Sequence, residues 1–116
     1  MKFFIAILFV FSSNVFSEEI TEQSFIGKWC GKWDNTFQTC ISIDDVKDGS
    51  IAKYQWLEHP NGKFKKADKK IERVNRNTLK IENIWFALDE NDLSVANAMG
   101  VFRVQSRIVI FKKIED

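Results

Sequence analysis

Acid–base or nucleophilic chemistry at neutral pH asks first for a base beside a nucleophile, and this chain holds a single histidine, His59. It lies in His59-Pro60-Asn61-Gly62, a turn sequence with no Ser or Cys beside it, so a solvated turn residue is expected rather than a general base. Asp44, Asp45 and Asp48 cluster between strands, where acidic residues form turns, and their spacing fits no calcium loop. A carboxylate pair for glycoside hydrolysis forms in space and leaves no local trace. Cys30 and Cys40 with one histidine fall short of the four ligands of a zinc site, and their spacing is far from Cys-x-x-Cys. There is no Gly-rich phosphate loop. These patterns point to no catalytic residue, no metal and no cofactor, and to binding rather than catalysis.

The residues left to carry a site are aromatic. Trp29, Trp33, Tyr54 and Trp56 fall on strand faces that can all point inward. Together they would make an apolar ligand pocket, with the Tyr54 hydroxyl and the indole N–H groups as polar handles. The plainer reading, that these rings fill the interior, ranks ahead of it in a barrel this small. Trp85 differs: if Ile84, Phe86 and Leu88 face inward, Trp85 faces outward, either as a partner surface or covered by a neighbouring loop or the N-terminal segment. Lys63–Lys80 carries eight cations against Asp68 and Glu72, which an anionic partner could use. No aromatic stacking pattern interleaves with them, so a solvated hairpin face is expected.

The elements that must position these residues are short strands. Turn clusters punctuate the chain at Asp34-Asn35, Asp45 to Gly49, His59 to Gly62, Asn75-Arg76-Asn77 and Asp89 to Asp92, which indicates an antiparallel β domain. The first hairpin fixes its own register. Pairing Trp33 with Phe37 sets Cys30 opposite Cys40 and Trp29 opposite Ile41. One face then carries Trp29, Gly31, Trp33, Phe37, Thr39, Ile41 and Ile43, and the other carries both cysteines. A disulfide across adjacent strands follows, stabilising by roughly 3 kcal/mol on the chain-entropy model. Ser50–Glu58 reads as a third strand, with Ala52, Tyr54 and Trp56 on one face. Lys63–Val74 reads as a strand, with a short helix over Ala67–Val74 as the alternative. Thr78–Asn83, Ile84–Leu88 and Arg107–Lys113 read as strands, with Leu93–Ala98 and Val101–Val104 as two strands or one bent at Gly100. Seven or eight such strands favour a small up-and-down barrel, which removes unpaired edges; a sandwich is the alternative.

The start of the chain sets the compartment. Lys2 precedes the apolar run Phe3–Phe11, and polar and small residues follow to Ser17, the three parts of a secretory signal peptide cleaved after Ser17. The apolar run is about half of the roughly 20 residues a spanning helix needs. Residues 18–116 are then a single domain of 99 residues, in the periplasm or secreted, with no membrane span. Without Lys2 its charges balance, sixteen against sixteen, so a nucleic-acid partner is not expected.

Gly27-Lys28-Trp29 on a first strand, doubled as Gly27-Lys28-Trp29-Cys30-Gly31-Lys32-Trp33, with Ala52-Lys53-Tyr54-Gln55-Trp56 on a later one, resembles small exported lipocalin-like (calycin-type) bacterial proteins. The resemblance implies an up-and-down barrel with its ligand inside. It also implies an Arg from the last strand over the first Trp, for which Arg103 and Arg107 are the candidates. The chain is shorter than a classical lipocalin and carries no counterpart of the later lipocalin motifs, so a smaller cavity is implied. Small periplasmic inhibitors of secreted metalloproteases are similar in size and first strand, but their disulfide connects differently. The leading expectation is a binding protein for a small apolar ligand. A protein-binding module such as an inhibitor of an envelope enzyme comes second, and a structural envelope protein third.

Overall fold

Alternation of buried and exposed side chains marks strand after strand in the computed structural model, which describes residues 19–59, 61–103 and 105–114. The expected signal peptide, residues 1–17, lies outside the described residues, as does Val104. Eight strands run in sequence: β1 (Gly27–Trp33), β2 (Phe37–Ile43), β3 (Ile51–Trp56), β4 (Lys65–Asn75), β5 (Thr78–Ile81), β6 (Ile84–Asp89), β7 (Asp92–Phe102) and β8 (Gln105–Ile114). Each pairs antiparallel with the next, and β8 returns to β1, closing an up-and-down barrel. Closure leaves no open sheet edge of the kind a sandwich would keep.

The first hairpin has the register its sequence dictates. Cys30 faces Cys40, Trp29 faces Ile41 and Trp33 faces Phe37. The two sulfur atoms are bonded on the outward side of the sheet, while Trp29, Trp33, Thr39, Ile41 and Ile43 are buried on the inward side. Asp34 and Asn35 both take positive φ, 49° and 61°, and the Thr36 N–H donates to the Trp33 carbonyl at 2.8 Å. That twist matches the twist of the flanking strands, and short polar side chains tolerate it.

The segment whose sequence allowed strand or helix is strand throughout, as β4. Leu93–Ala98 and Val101–Phe102 belong to one continuous strand, β7, that runs through Gly100. A Cβ at Gly100 would stand 2.9 Å from the Trp33 ring and closer still to Phe102, so only glycine lets both rings pack there. Gly31 has the same role at the seam: a Cβ would collide with the Ile110 carbonyl oxygen of β8.

The core is concentrated toward one end. A 3-10 turn, Glu22–Phe25, precedes β1 and drives the fully buried Phe25 into the barrel. Phe25, Trp29, Phe86 and Phe111 pack in a chain of tilted and edge-on contacts, with centroids 6.5, 5.2 and 5.7 Å apart from Phe25 to Phe86, Trp29 to Phe86 and Phe86 to Phe111. Edge-on packing places the positive rim of one ring on the negative face of the next. Ile43, Val46, Ile71, Ile81 and Ile20 belong to the same buried cluster, which extends to Trp33 and Tyr54.

Candidate ligand-binding site

The opposite end stays open. There the strand ends of β1, β3 and β7 and the start of β8 surround a solvent-connected cavity of about 800 Å³. Three of the four expected ligand residues, Trp33, Tyr54 and Trp56, line it together with Phe37, Leu57 and Phe102. At its floor the Trp33 Nε1–H donates to the Tyr54 hydroxyl at 2.9 Å, and both residues are only 4% exposed. Phe102 meets the Trp33 ring edge-on at 5.3 Å, and Trp56 stacks on Tyr54 at 5.0 Å. The rings are thereby fixed against one another.

Trp29 is not among the lining residues. It is fully buried in the plugged end, where its Nε1–H donates to the Phe25 carbonyl at 3.0 Å. The expectation of a filled interior thus describes the half around Trp29, and the expectation of a pocket describes the half around Trp33. Alternation along β1 sends both indoles inward but cannot tell the two halves apart, because one turn of chain before Gly27 supplies the plug.

The cation expected over the first Trp also differs in identity. Arg107 lies over the Phe37 ring at 5.8 Å, and Arg103 sits in the β7–β8 turn at φ 56°. Lys113 of β8 covers Trp29 instead, its Nζ 5.0 Å from the ring and donating to the Ser24 carbonyl at 3.1 Å. Arg107 has a different setting at the mouth, 3.8 Å from Asp34 and donating to Gln105 at 3.4 Å.

Lys69 is the site residue that sequence reading missed. Its basic sequence context predicts a solvated face, yet β4 alternation puts Ala67, Lys69, Ile71 and Arg73 on the inward side, and the Lys69 side chain is 15% exposed. Its Nζ donates to Asn83 Oδ1 at 3.0 Å and lies 5.4 Å from the Tyr54 ring centroid. The Ala52–Lys69 pairing between β3 and β4 carried the signal, because Ala52 and Tyr54 face inward. Arg73 is the second inward cation of β4 and covers Phe25 from the plugged end at 5.0 Å.

Burial raises the Tyr54 pKa above its ordinary 10.0, outweighing the neighbouring Thr39 and Trp33 groups, so the phenol is held neutral. Glu58 is the carboxylate on the cavity wall. Its pKa is lowered, first by the hydrogen bond from Lys65 and then by that from Trp56. In the β2–β3 connection Asp45 accepts the Lys47 N–H, a local turn contact, and Asp48 accepts the Arg73 N–H, which ties that connection to β4. Among the described residues no group of three or more His, Cys, Asp or Glu side chains is placed to hold a metal ion, and no helix is long and apolar enough to cross a membrane. Trp85 faces outward as expected, 38% exposed, in a cross-strand row with Met99 and Ile108. Comparison with known proteins finds no matching family model, no similar curated protein and no similar solved structure.

Proposed function

We propose that this is an exported binding protein that holds a small, largely apolar ligand in the open end of its barrel. The observation that carries the reading is the cavity of about 800 Å³ with an aromatic floor and walls from Trp33, Tyr54, Trp56, Phe37 and Phe102. Ligand sites are commonly of this size and composition, and the mouth of a small barrel is a usual place for them. The floor rings are pre-set by the Trp33–Tyr54 hydrogen bond, which lowers the ordering cost of binding. A neutral Tyr54 suits a hydrogen-bonding handle better than a base. The disulfide supports an oxidising compartment such as the periplasm or the exterior. The architecture and the doubled Gly-x-Trp strand favour kinship with lipocalin-like proteins.

Native mass spectrometry of protein purified from its own envelope fraction tests the reading. A retained small molecule, displaced by an uncharged aromatic dye such as phenylnaphthylamine, is the expected result. Protein that carries no small molecule and does not bind the dye would overturn it.

A second reading, a protein-binding module such as an enzyme inhibitor, is favoured by the outer row of Trp85, Met99 and Ile108, continued by Ile110 at 58% exposure. Co-purification of an envelope protein that is lost on Trp85→Ala would support it.

A further inference from the structure

Charge is distributed unevenly around this cavity. Lys69, Arg103 and Arg107 line it, against the single carboxylate of Glu58. That carboxylate is already engaged by Lys65 at 2.9 Å and by the Trp56 indole N–H at 3.5 Å. The cavity wall therefore presents an excess of positive charge beside aromatic rings.

Lys69 is the most telling of the three. A mostly buried ammonium is costly unless its charge and all three donors are met. One donor goes to Asn83, whose own amide N–H donates to the Val101 carbonyl at 3.1 Å, so Asn83 is anchored to β7. Glu82 stands 3.8 Å away, beyond hydrogen-bonding distance, with its other carboxylate oxygen accepting the Lys70 N–H at 2.9 Å. Glu82 is also half-exposed, so water screens it. The compensation inside the protein is partial: on the cavity side Lys69 meets the Tyr54 ring at 5.4 Å, and Glu82 is its one ion-pair partner among the described residues. An apolar residue would fill this inward position between Ala67 and Ile71 at no such cost.

We propose that the ligand is an amphipathic acid: an apolar body among Trp33, Trp56, Phe37 and Phe102, and one anionic group, such as a carboxylate or sulfonate, accepting a hydrogen bond from Lys69 with Arg107 and Arg103 at the rim. This rests on the binding reading above and specifies its ligand class. Lys69 fixes the depth of the anionic end. The two arginines draw the anion toward the mouth and pair with it only loosely, Arg107 being shared with Asp34 and Gln105.

Two dyes with one skeleton test it on the intact, disulfide-bonded protein: anilinonaphthalene sulfonate, and phenylnaphthylamine, which lacks the sulfonate. The readout is the ratio of the two affinities by fluorescence titration. A charge-assisted hydrogen bond in a half-enclosed site is worth about tenfold or more in affinity, so Lys69→Met should lower the sulfonate-to-neutral ratio by about tenfold. Lys69→Arg should restore most of it, and added salt should weaken only the sulfonate. A ratio equal in native protein and Lys69→Met overturns the inference while leaving the binding reading intact. Failure of native protein that carries no small molecule by native mass spectrometry to bind either dye overturns the binding reading itself. Should Lys69→Met lose its fold, Arg107→Gln decides: a ratio lowered by roughly threefold supports the anionic site, and an unchanged ratio overturns it.

Discussion

Tyr54 is the chain's single tyrosine, so its ionisation can be followed alone in the near-ultraviolet. Burial raises its folded pKa above 10.0, which means that folding favours the neutral phenol. Its stabilising contribution is complete below the ordinary value and disappears as pH rises through the raised one. A spectrophotometric titration should accordingly show ionisation above pH 10 in the folded protein, and near the ordinary value in urea; coincident curves would contradict the burial described here. Tyr54→Phe leaves the Trp33 indole N–H without its acceptor and should cost about 1–3 kcal/mol in a denaturant titration. At this scale the aromatic residues were legible because alternation alone sends Trp33, Tyr54 and Trp56 to one side. Lys69 was not, because a lysine among lysines reads as solvated, and only the pairing of β4 with β3 turns it inward.

Two missing side chains and one covalent link constrain how the strands pack. Gly31→Ala sets a methyl against the Ile110 carbonyl of β8, where backbone cannot yield cheaply, and should cost about 1–3 kcal/mol. Gly100→Ala should cost a similar amount. It should also displace the Trp33 and Phe102 rings, so its near-ultraviolet circular dichroism should change more than that of Gly31→Ala. Replacing Cys30 and Cys40 by serine releases a loop closed across a sequence separation of 10 and should lower stability by about 3 kcal/mol. The thiol pairing was legible because one register satisfied both the turn and the inward face. The continuity of β7 through Gly100 was left open by a sequence in which glycine signals either a bend or a close approach, and here the approach of Trp33 decides. The extent of β5 was not legible either. It is four residues long, ending at Ile81 with the β5–β6 turn at Glu82-Asn83, and its pairing covers β4 only from Ile71 to Asn75. Just past its end the Glu82 N–H still donates to the Lys70 carbonyl at 3.1 Å, and Asn83 of the turn accepts from Lys69.

At the level of the whole molecule, the two halves of the barrel are packed differently, one filled around Phe25 and one open around Trp33. Phe25→Ala empties the plug and should cost about 3–5 kcal/mol. Phe102→Ala, at the partly exposed rim, should cost less stability and more dye affinity. Equal losses of both properties in the two variants would mean that base and mouth are not separable. The barrel itself was legible in the sequence, because hairpins in succession have few other ways to bury one face each. Its polarity was not, since that depends on where a short leading turn inserts a single phenylalanine. The inserted phenylalanine makes the molecule a cup rather than a tube. Under the proposed binding role, a ligand admitted at the rim would meet the Phe25 plug at the base, so loading and unloading would share one doorway.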